Sequence, residues 1–495
     1  MTSRIPRVVD IVVDAVARAG ASTVFTAGEG AAATVALMEA AARDRLRVVH
    51  AAHASAACAM GCVTGLLTDG PGVAVAAPDG AEPEILAALE QAVRDAAPLV
   101  LVTDRSLSAP VEAIAKASLA VNAAAAAHWS AHACQLALSE PRGPVHLVVA
   151  GEIAASPAVP LAVAVRPVPI AAPDAVLLDR AADLLVRAQR PILVVGRQCR
   201  TREIAAWLRA LAESVPAPVL VTPGGRGALP DPHPLNLGLV RDPLAVSEVV
   251  HRADLAVVIG ADSRELPPGA LPSALASVHL AASPWERVDD APRLDVVGEI
   301  ALLIEELAPR LRSRARADWD VAELDRLKRG LGPPRAESRL DSRTVVRIVR
   351  EAMAAGTVAV VAAEGETESA LAAWQTVAPR EMVVSATPEL RGFAVPAAIA
   401  AALARQPARV ACFASARQLV DARDMLETAA RLTLPVLLLI VGQRGEGAAG
   451  SLADLATRCA WVGSEARDEM GLRMAIEQAL SRAGPALVDV RRPPA

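Results

Sequence analysis

The feature that most limits what this chain can fold into is a repeated alternation. Short runs that are apolar at nearly every position, such as PLVLVT (98–103), PILVVG (191–196), LAVVIG (255–260), VACFA (410–414) and PVLLLIVG (435–442), are separated by stretches with helical spacing. The stretch VVDIVVDAVARAG is one of these, closed by Gly20 as a C-cap. A strand that shows no polar face suits the centre of a parallel sheet covered by helices on both sides. The rhythm therefore predicts doubly wound α/β domains with parallel sheets. A chain of 495 residues is too long for one core and suits about three domains of ~150 residues.

Two stretches break the rhythm. Residues 156–174 are Pro-rich and lack helical period, which reads as an extended linker. Residues 311–340 are charged, contain Pro333 and Pro334, and read as a second linker. Asp341 and Ser342 then look like an N-cap before RTVVRIVREAM. The predicted domains are 1–155, 175–310 and 341–495.

Composition narrows the functional classes. There is no Tyr, with three Phe and six Trp, so small aliphatic side chains must fill the core and base-stacking platforms are scarce. A net charge of -5 also argues against a nucleic-acid partner. The six cysteines form no CxxC pair or zinc spacing and read as reduced, buried thiols. The N-terminus has helical periodicity rather than a signal-peptide layout, and no apolar run reaches the ~18 residues of a membrane span. The expectation is a soluble cytoplasmic protein without a membrane partner.

Longer segments carry a resemblance. RAADLLVRAQRPILVVG, VPAPVLVTPGGRGALPDPHPLNLGLV, RADLAVVIGADSRE and LDVVGEIALLIEEL resemble the central domain of the acetolactate synthase and benzoylformate decarboxylase branch of the thiamine-diphosphate-dependent enzymes. AAPLVLVTD and LALSEPRGPVHLVV resemble strands of that family's first domain, and LRGFAVPAAIAAALA and MLETAARLTLPVLLLIV resemble segments of its third. The resemblance implies pyrimidine-binding, central and pyrophosphate-binding domains, and a homodimer or homotetramer with coenzyme between the first domain of one subunit and the third of another. Thiamine diphosphate and Mg²⁺ are the implied cofactors, with FAD in the central domain of some members. The implied chemistry joins or cleaves 2-oxo acids.

The residues that would do this chemistry depart from the family pattern. Mg²⁺ wants oxygen ligands in an octahedron. Family members supply them from a Gly-Asp-Gly turn after a strand and from an Asn further on. Aligned back from Leu434 and Pro435, Ser415, Ala416 and Arg417 take the Gly-Asp-Gly places, with Ala416 at the metal-binding Asp, while Gly442 and Gln443 take the Asn pair. Arg417 reads either as a partner for phosphate or as a solvent-facing helix arginine. Asp421 and Asp424 read as displaced ligands or solvated carboxylates. The Glu that shifts the aminopyrimidine tautomer falls at Ala52, and no acid occurs from Arg45 to Thr68, although His50 and His53 lie nearby. The bulky apolar residue that bends the coenzyme is replaced by Arg391, where a cation meets the thiazolium with like charge. Of the pocket glycines Gly80 and Gly392 remain, and Glu82 and Glu84 bring acids.

Three functions remain open on the sequence. The first is a catalytically degenerate homologue acting as a structural or regulatory subunit, with itself or with an active thiamine-enzyme paralogue. Pairing through the family's shared site would not rescue catalysis, because one mixed site would lack the Glu and the other the metal ligands. The second is a working thiamine-dependent lyase or carboligase with unorthodox ligation. The third is a nucleotide-binding protein whose middle domain offers Arg197 and Arg200 after a strand.

Overall fold

The apolar runs become parallel strands of three sheets. The structure, a computed structural model, describes residues 5–28, 32–44, 46–161, 163–240, 248–267, 269–285, 292–311, 317–331, 340–385, 390, 392–442 and 451–491. The N-terminal sheet holds β1 (Thr23–Ala27), β2 (Arg47–His50), β3 (Gly72–Ala76), β4 (Leu99–Thr103), β5 (Ser118–Ala120) and β6 (Pro144–Val148), in the order β2-β1-β3-β4-β6-β5. The middle sheet holds β7 (Pro191–Val195), β8 (Val219–Val221), β9 (Asn236–Leu239), β10 (Leu255–Ile259), β11 (Ala276–Ala281) and β12 (Arg293–Val297), in the order β12-β11-β10-β7-β8-β9. The C-terminal sheet holds β13 (Val358–Ala362), β14 (Met382–Ser385), β15 (Val410–Ala414), β16 (Val436–Ile440), β17 (Val462–Ala466) and β18 (Ala486–Val490), in the order β14-β13-β15-β16-β18-β17. The expected parallel α/β architecture is therefore present three times. The first and third sheets also share one strand order, a kinship the amino-acid letters do not display. The stretch read as a second linker contains a helix, Val321–Leu331. Leu324 of that helix and the preceding Trp319 are buried against the middle domain, and the indole Nε1 of Trp319 donates to the Pro191 carbonyl at 2.9 Å.

Two helices tie the outer domains together. Ala54–Leu67 is buried at every position except Leu66, and Ala394–Arg405 is buried from Ala394 to Ala402. A helix apolar on all sides must be covered on all sides, and these two cover one another. Their alanines, glycines and cysteines let the backbones approach closely. The first of the two also lies hard against its own sheet, since a Cβ on Gly72 of β3 would lie 1.7 Å from the Gly61 carbonyl oxygen. One continuous core results, in which Phe25, Met60 and Leu89 of the first domain join Val360, Phe393 and Ile399 of the third. Polar contacts border it: Ser385 Oγ donates to Gln91 Oε1 at 3.0 Å, and Arg380 pairs with Asp69 at 2.9 Å.

The segment 222–238, with its Gly-Arg-Gly and Pro-Asp-Pro-His-Pro spelling, clasps the middle domain to the third. Arg226 is buried and donates through Nη2 to Asp231 Oδ2 at 2.6 Å and to the Trp374 carbonyl at 2.5 Å. Asp231 Oδ2 also accepts from the Thr376 amide at 2.7 Å and its hydroxyl at 2.9 Å. Gly227, at φ +81°, passes so close to Ala378 that a Cβ would lie 2.0 Å from its carbonyl oxygen. The motif that looks most family-specific is thus explained by domain packing: a buried guanidinium needs a carboxylate and a carbonyl, and the crossing needs a residue without a side chain.

His146 on β6 is fully buried, with Nε2 2.7 Å from Thr103 Oγ1 and Nδ1 2.8 Å from Ser118 Oγ. Burial disfavours the imidazolium and lowers the pKa from 6.5 to about 4. His279 is lowered to about 3 by burial and by the nearby Arg293. As pH falls below 6.5, the unfolded chain takes up protons that the folded chain refuses, so stability is lost towards pH 4. Urea midpoints should fall over this window, with each histidine contributing a slope of up to about 1.4 kcal/mol per pH unit. The variant His146→Gln should lose its share of that slope. An identical pH profile for variant and parent would contradict the assignment.

Candidate functional site

In open parallel sheets, ligands bind beyond the carboxyl ends of the strands, where the chain leaves two neighbouring strands in opposite directions. In the third domain this point lies between β13 and β15. Ser415, directly after β15, starts the short helix Ala416–Asp421 in extended conformation, and its Oγ accepts from the Gln418 amide at 3.2 Å. The same hydroxyl donates to Glu364 Oε1 at 2.5 Å. Glu364 follows β13 and is held by its own turn, where its amide donates to Thr367 Oγ1 at 3.1 Å. The crevice therefore contains a carboxylate from one strand engaged by a hydroxyl from the next. The sequence reading did not single out Glu364. Its signal was the acid that ends the run VAVVAAEG.

The other residues singled out in the sequence divide between this corner and its surroundings. Ala416 offers no donor atom. Arg417 points to solvent, 65% exposed, with Asp421 Oδ2 4.0 Å from its Nε. Gly392, at φ +65°, faces the Asp421 main chain, where a Cβ would approach to 3.0 Å. Asp424 lies in a loose ion pair with Arg423 at 3.5 Å, both exposed. Gly442 follows β16 at φ +120°. Arg391 and Gln443 lie outside the described residues.

Ala52 sits between β2 and the helix Ala54–Leu67, and its amide meets Met425 Sδ of the third domain at 3.2 Å. The adjacent His53 caps that helix. Its Nδ1 lies 3.2 Å from the Ala56 amide, which donates to it, and 2.8 Å from Ser55 Oγ. Glu84 Oε2 stands 3.5 Å from Ser55 Oγ and 3.9 Å from His53 Nδ1. With Nδ1 spent on the cap and Ser55 buried, the trio anchors a helix rather than arming a nucleophile. His50 is exposed at the end of β2. Gly80 turns at φ +71° after β3 with no atom within 4 Å of an added Cβ.

A cavity of about 620 Å³ lies where the three domains meet, lined by Arg94 and Glu90 of the first, Arg200, Arg264 and Glu265 of the second, and Arg380 of the third. Five of the six cysteines are buried and all are unpaired, with burial pushing Cys58 and Cys134 up to about 12.

Comparison with known proteins agrees with this architecture. A family described as thiamine pyrophosphate enzyme, central domain, matches residues 178–307. An acetolactate synthase isozyme 1 large subunit from Escherichia coli is 24% identical over 274 residues, which is 54% of this chain and 48% of that protein. An acetolactate synthase from Mycobacterium bovis is 30% identical over 245 residues, covering 45% of this chain and 38% of the relative. The large subunit from Parasynechococcus marenigrum is 28% identical over 280 residues, 54% of this chain and 45% of its own. Residues 178–307 thus match the central domain of the thiamine pyrophosphate enzymes, and the chain is similar to acetolactate synthase large subunits. The matched stretches span about half or less of the relatives' own length.

The similarity brings thiamine diphosphate into question, and the third-domain corner can be tested for it. Mg²⁺ at a diphosphate is typically held by one or two carboxylates besides phosphate and water. At this helix start the side chain is a methyl group, Ala416. Among the described residues, no group of three or more His, Cys, Asp or Glu could hold a metal ion. The carboxylate present, Glu364, comes from the opposite strand and already accepts from Ser415. A diphosphate here would meet it with like charge. These donors do not fit the metal–diphosphate pair. None of the described helices is long and apolar enough to cross a membrane.

Ser415→Ala removes a helix cap and the hydroxyl on Glu364 together. It should cost about 1–2 kcal/mol of unfolding free energy in urea titrations. Stability equal to the parent's would show that this bond does not hold the corner together.

Proposed function

We propose that this thiamine-pyrophosphate enzyme homologue does not run the metal-dependent coenzyme cycle and serves as a structural or regulatory subunit. The observation that carries this reading is the pairing of Ser415 with Glu364 at the switch point, beside Ala416. Coenzyme chemistry in this fold begins with a diphosphate neutralised by a metal. Here the chain places a carboxylate already engaged by a hydroxyl instead. Ala52 adds a second shortfall, since its methyl group cannot take a proton from, or give one to, an aminopyrimidine.

The scaffold around these positions is intact. The fused core of the first and third domains and the Arg226–Asp231 clasp are features of a protein kept for its shape. The assembly proposed is a homodimer or homotetramer, or a complex with a competent paralogue joined through a surface other than the shared coenzyme cleft. Cytoplasmic residence is proposed with it.

The alternative is an active 2-oxo acid lyase or carboligase in which Glu364 replaces the missing aspartate. Turnover separates the two. With saturating thiamine diphosphate and Mg²⁺, pyruvate consumption should equal that of a coenzyme-free control. Coenzyme-dependent consumption that disappears in Glu364→Gln would overturn the proposal and assign Glu364 to the metal.

A further inference from the structure

The middle domain has a switch point of its own, between β7 and β10, and this is where a nucleotide would be cradled in a fold of this kind. Such a cradle needs backbone amides free to donate to phosphate and glycines that face open space, so that the anion can approach the main chain. The glycines here do not face open space. A Cβ on Gly196 would lie 2.3 Å from Ala261 Cα, so β7 and β10 are closed against each other at their ends. A Cβ on Gly225 would lie 2.2 Å from the Val195 carbonyl oxygen. A Cβ on Gly224 would lie 2.4 Å from Glu265 Oε1. The space beside each glycine is already taken by the chain itself.

Glu265 is the group that fills the crevice. It is buried, at 8% exposure. Its Oε2 accepts from the Arg197 amide at 2.8 Å, which is the first amide past the turn after β7. Its Oε1 accepts from Thr222 Oγ1 at 2.7 Å. The Arg197 guanidinium, 2% exposed, stands 3.8 Å from Glu265 and is bonded to Asp262. A main-chain amide, a hydroxyl and a cation converging on one carboxylate form the donor set that a ligand's anion would otherwise use. Burial pushes the Glu265 carboxyl above its usual range, while Arg197 opposes that shift. Remote in sequence from Arg197, Glu265 reaches it only because β7 and β10 are neighbours.

We propose that Glu265 is a built-in anion occupying the ligand crevice of the middle domain, so that this domain holds neither FAD nor another nucleotide. The wall of the three-domain cavity is then finished by the protein's own carboxylate. The inference is independent of what the third-domain corner does.

The full-length chain would be titrated with ADP, FAD and inorganic pyrophosphate, followed by thermal melting and by hydrogen exchange at 196–200 and 260–265. The parent should show no saturable change with any of the three. Glu265→Ala should melt lower, and pyrophosphate should restore its stability with protection of the same segments, binding at least about tenfold more tightly than to the parent. Saturable binding of ADP or FAD by the parent with protection there would overturn the proposal. So would a folded Glu265→Ala chain indifferent to pyrophosphate. Should that variant not fold, the parent titration decides alone.

Discussion

The contact on which the rest of this structure depends is the packing of Ala54–Leu67 against Ala394–Arg405. Both helices are apolar on every side, and neither could survive in water. Their small side chains bring the first and third sheets close enough to share one core, although the whole middle domain separates them in sequence. Everything functional hangs on that proximity. Ala52 leads into one helix and Gly392 leads into the other, so helix packing sets where each of these positions stands. The main chain at Ala52 is itself held against the third domain, its amide meeting Met425 Sδ at 3.2 Å.

A second regularity concerns charge. Two sheets with different strand orders meet the same situation at their switch points, where backbone and hydroxyl donors converge at the strand ends. In the middle domain Glu265 occupies those donors, and in the third domain Glu364 takes the Ser415 hydroxyl. A buried or half-buried donor without a partner costs about 1–3 kcal/mol. A carboxylate supplied by the chain itself satisfies such donors without a ligand.

The architecture was legible because it rests on patterns that neighbouring residues carry. Unbroken apolar runs signalled central parallel strands, and Pro-rich breaks marked changes of sheet. The helix at 321–331 was hidden by its charge, since a helix resting on a domain surface shows only a narrow apolar edge, here Leu324 with Trp319 ahead of it. For the candidate site the sequence offered departures from a family pattern and no more. Ala416 and Ala52 could be read by alignment alone, but what replaced them could not. Glu364 and Ser415 are far apart in sequence, as are Glu265 and Arg197. Only strand adjacency brings each pair within bonding distance. Likewise the segment around Arg226 looked like a family signature, and its cause became visible only when Asp231, Trp374 and Thr376 were seen around it.

We propose that the β13–β15 crevice, with Ala416 in place of an acid and Glu364 already engaged, holds no metal–diphosphate pair. Isothermal titration of the chain with thiamine diphosphate, at zero and at saturating Mg²⁺, measures this directly. Heats indistinguishable from dilution in both series are predicted. A saturable isotherm with micromolar affinity that appears only when Mg²⁺ is present would contradict it.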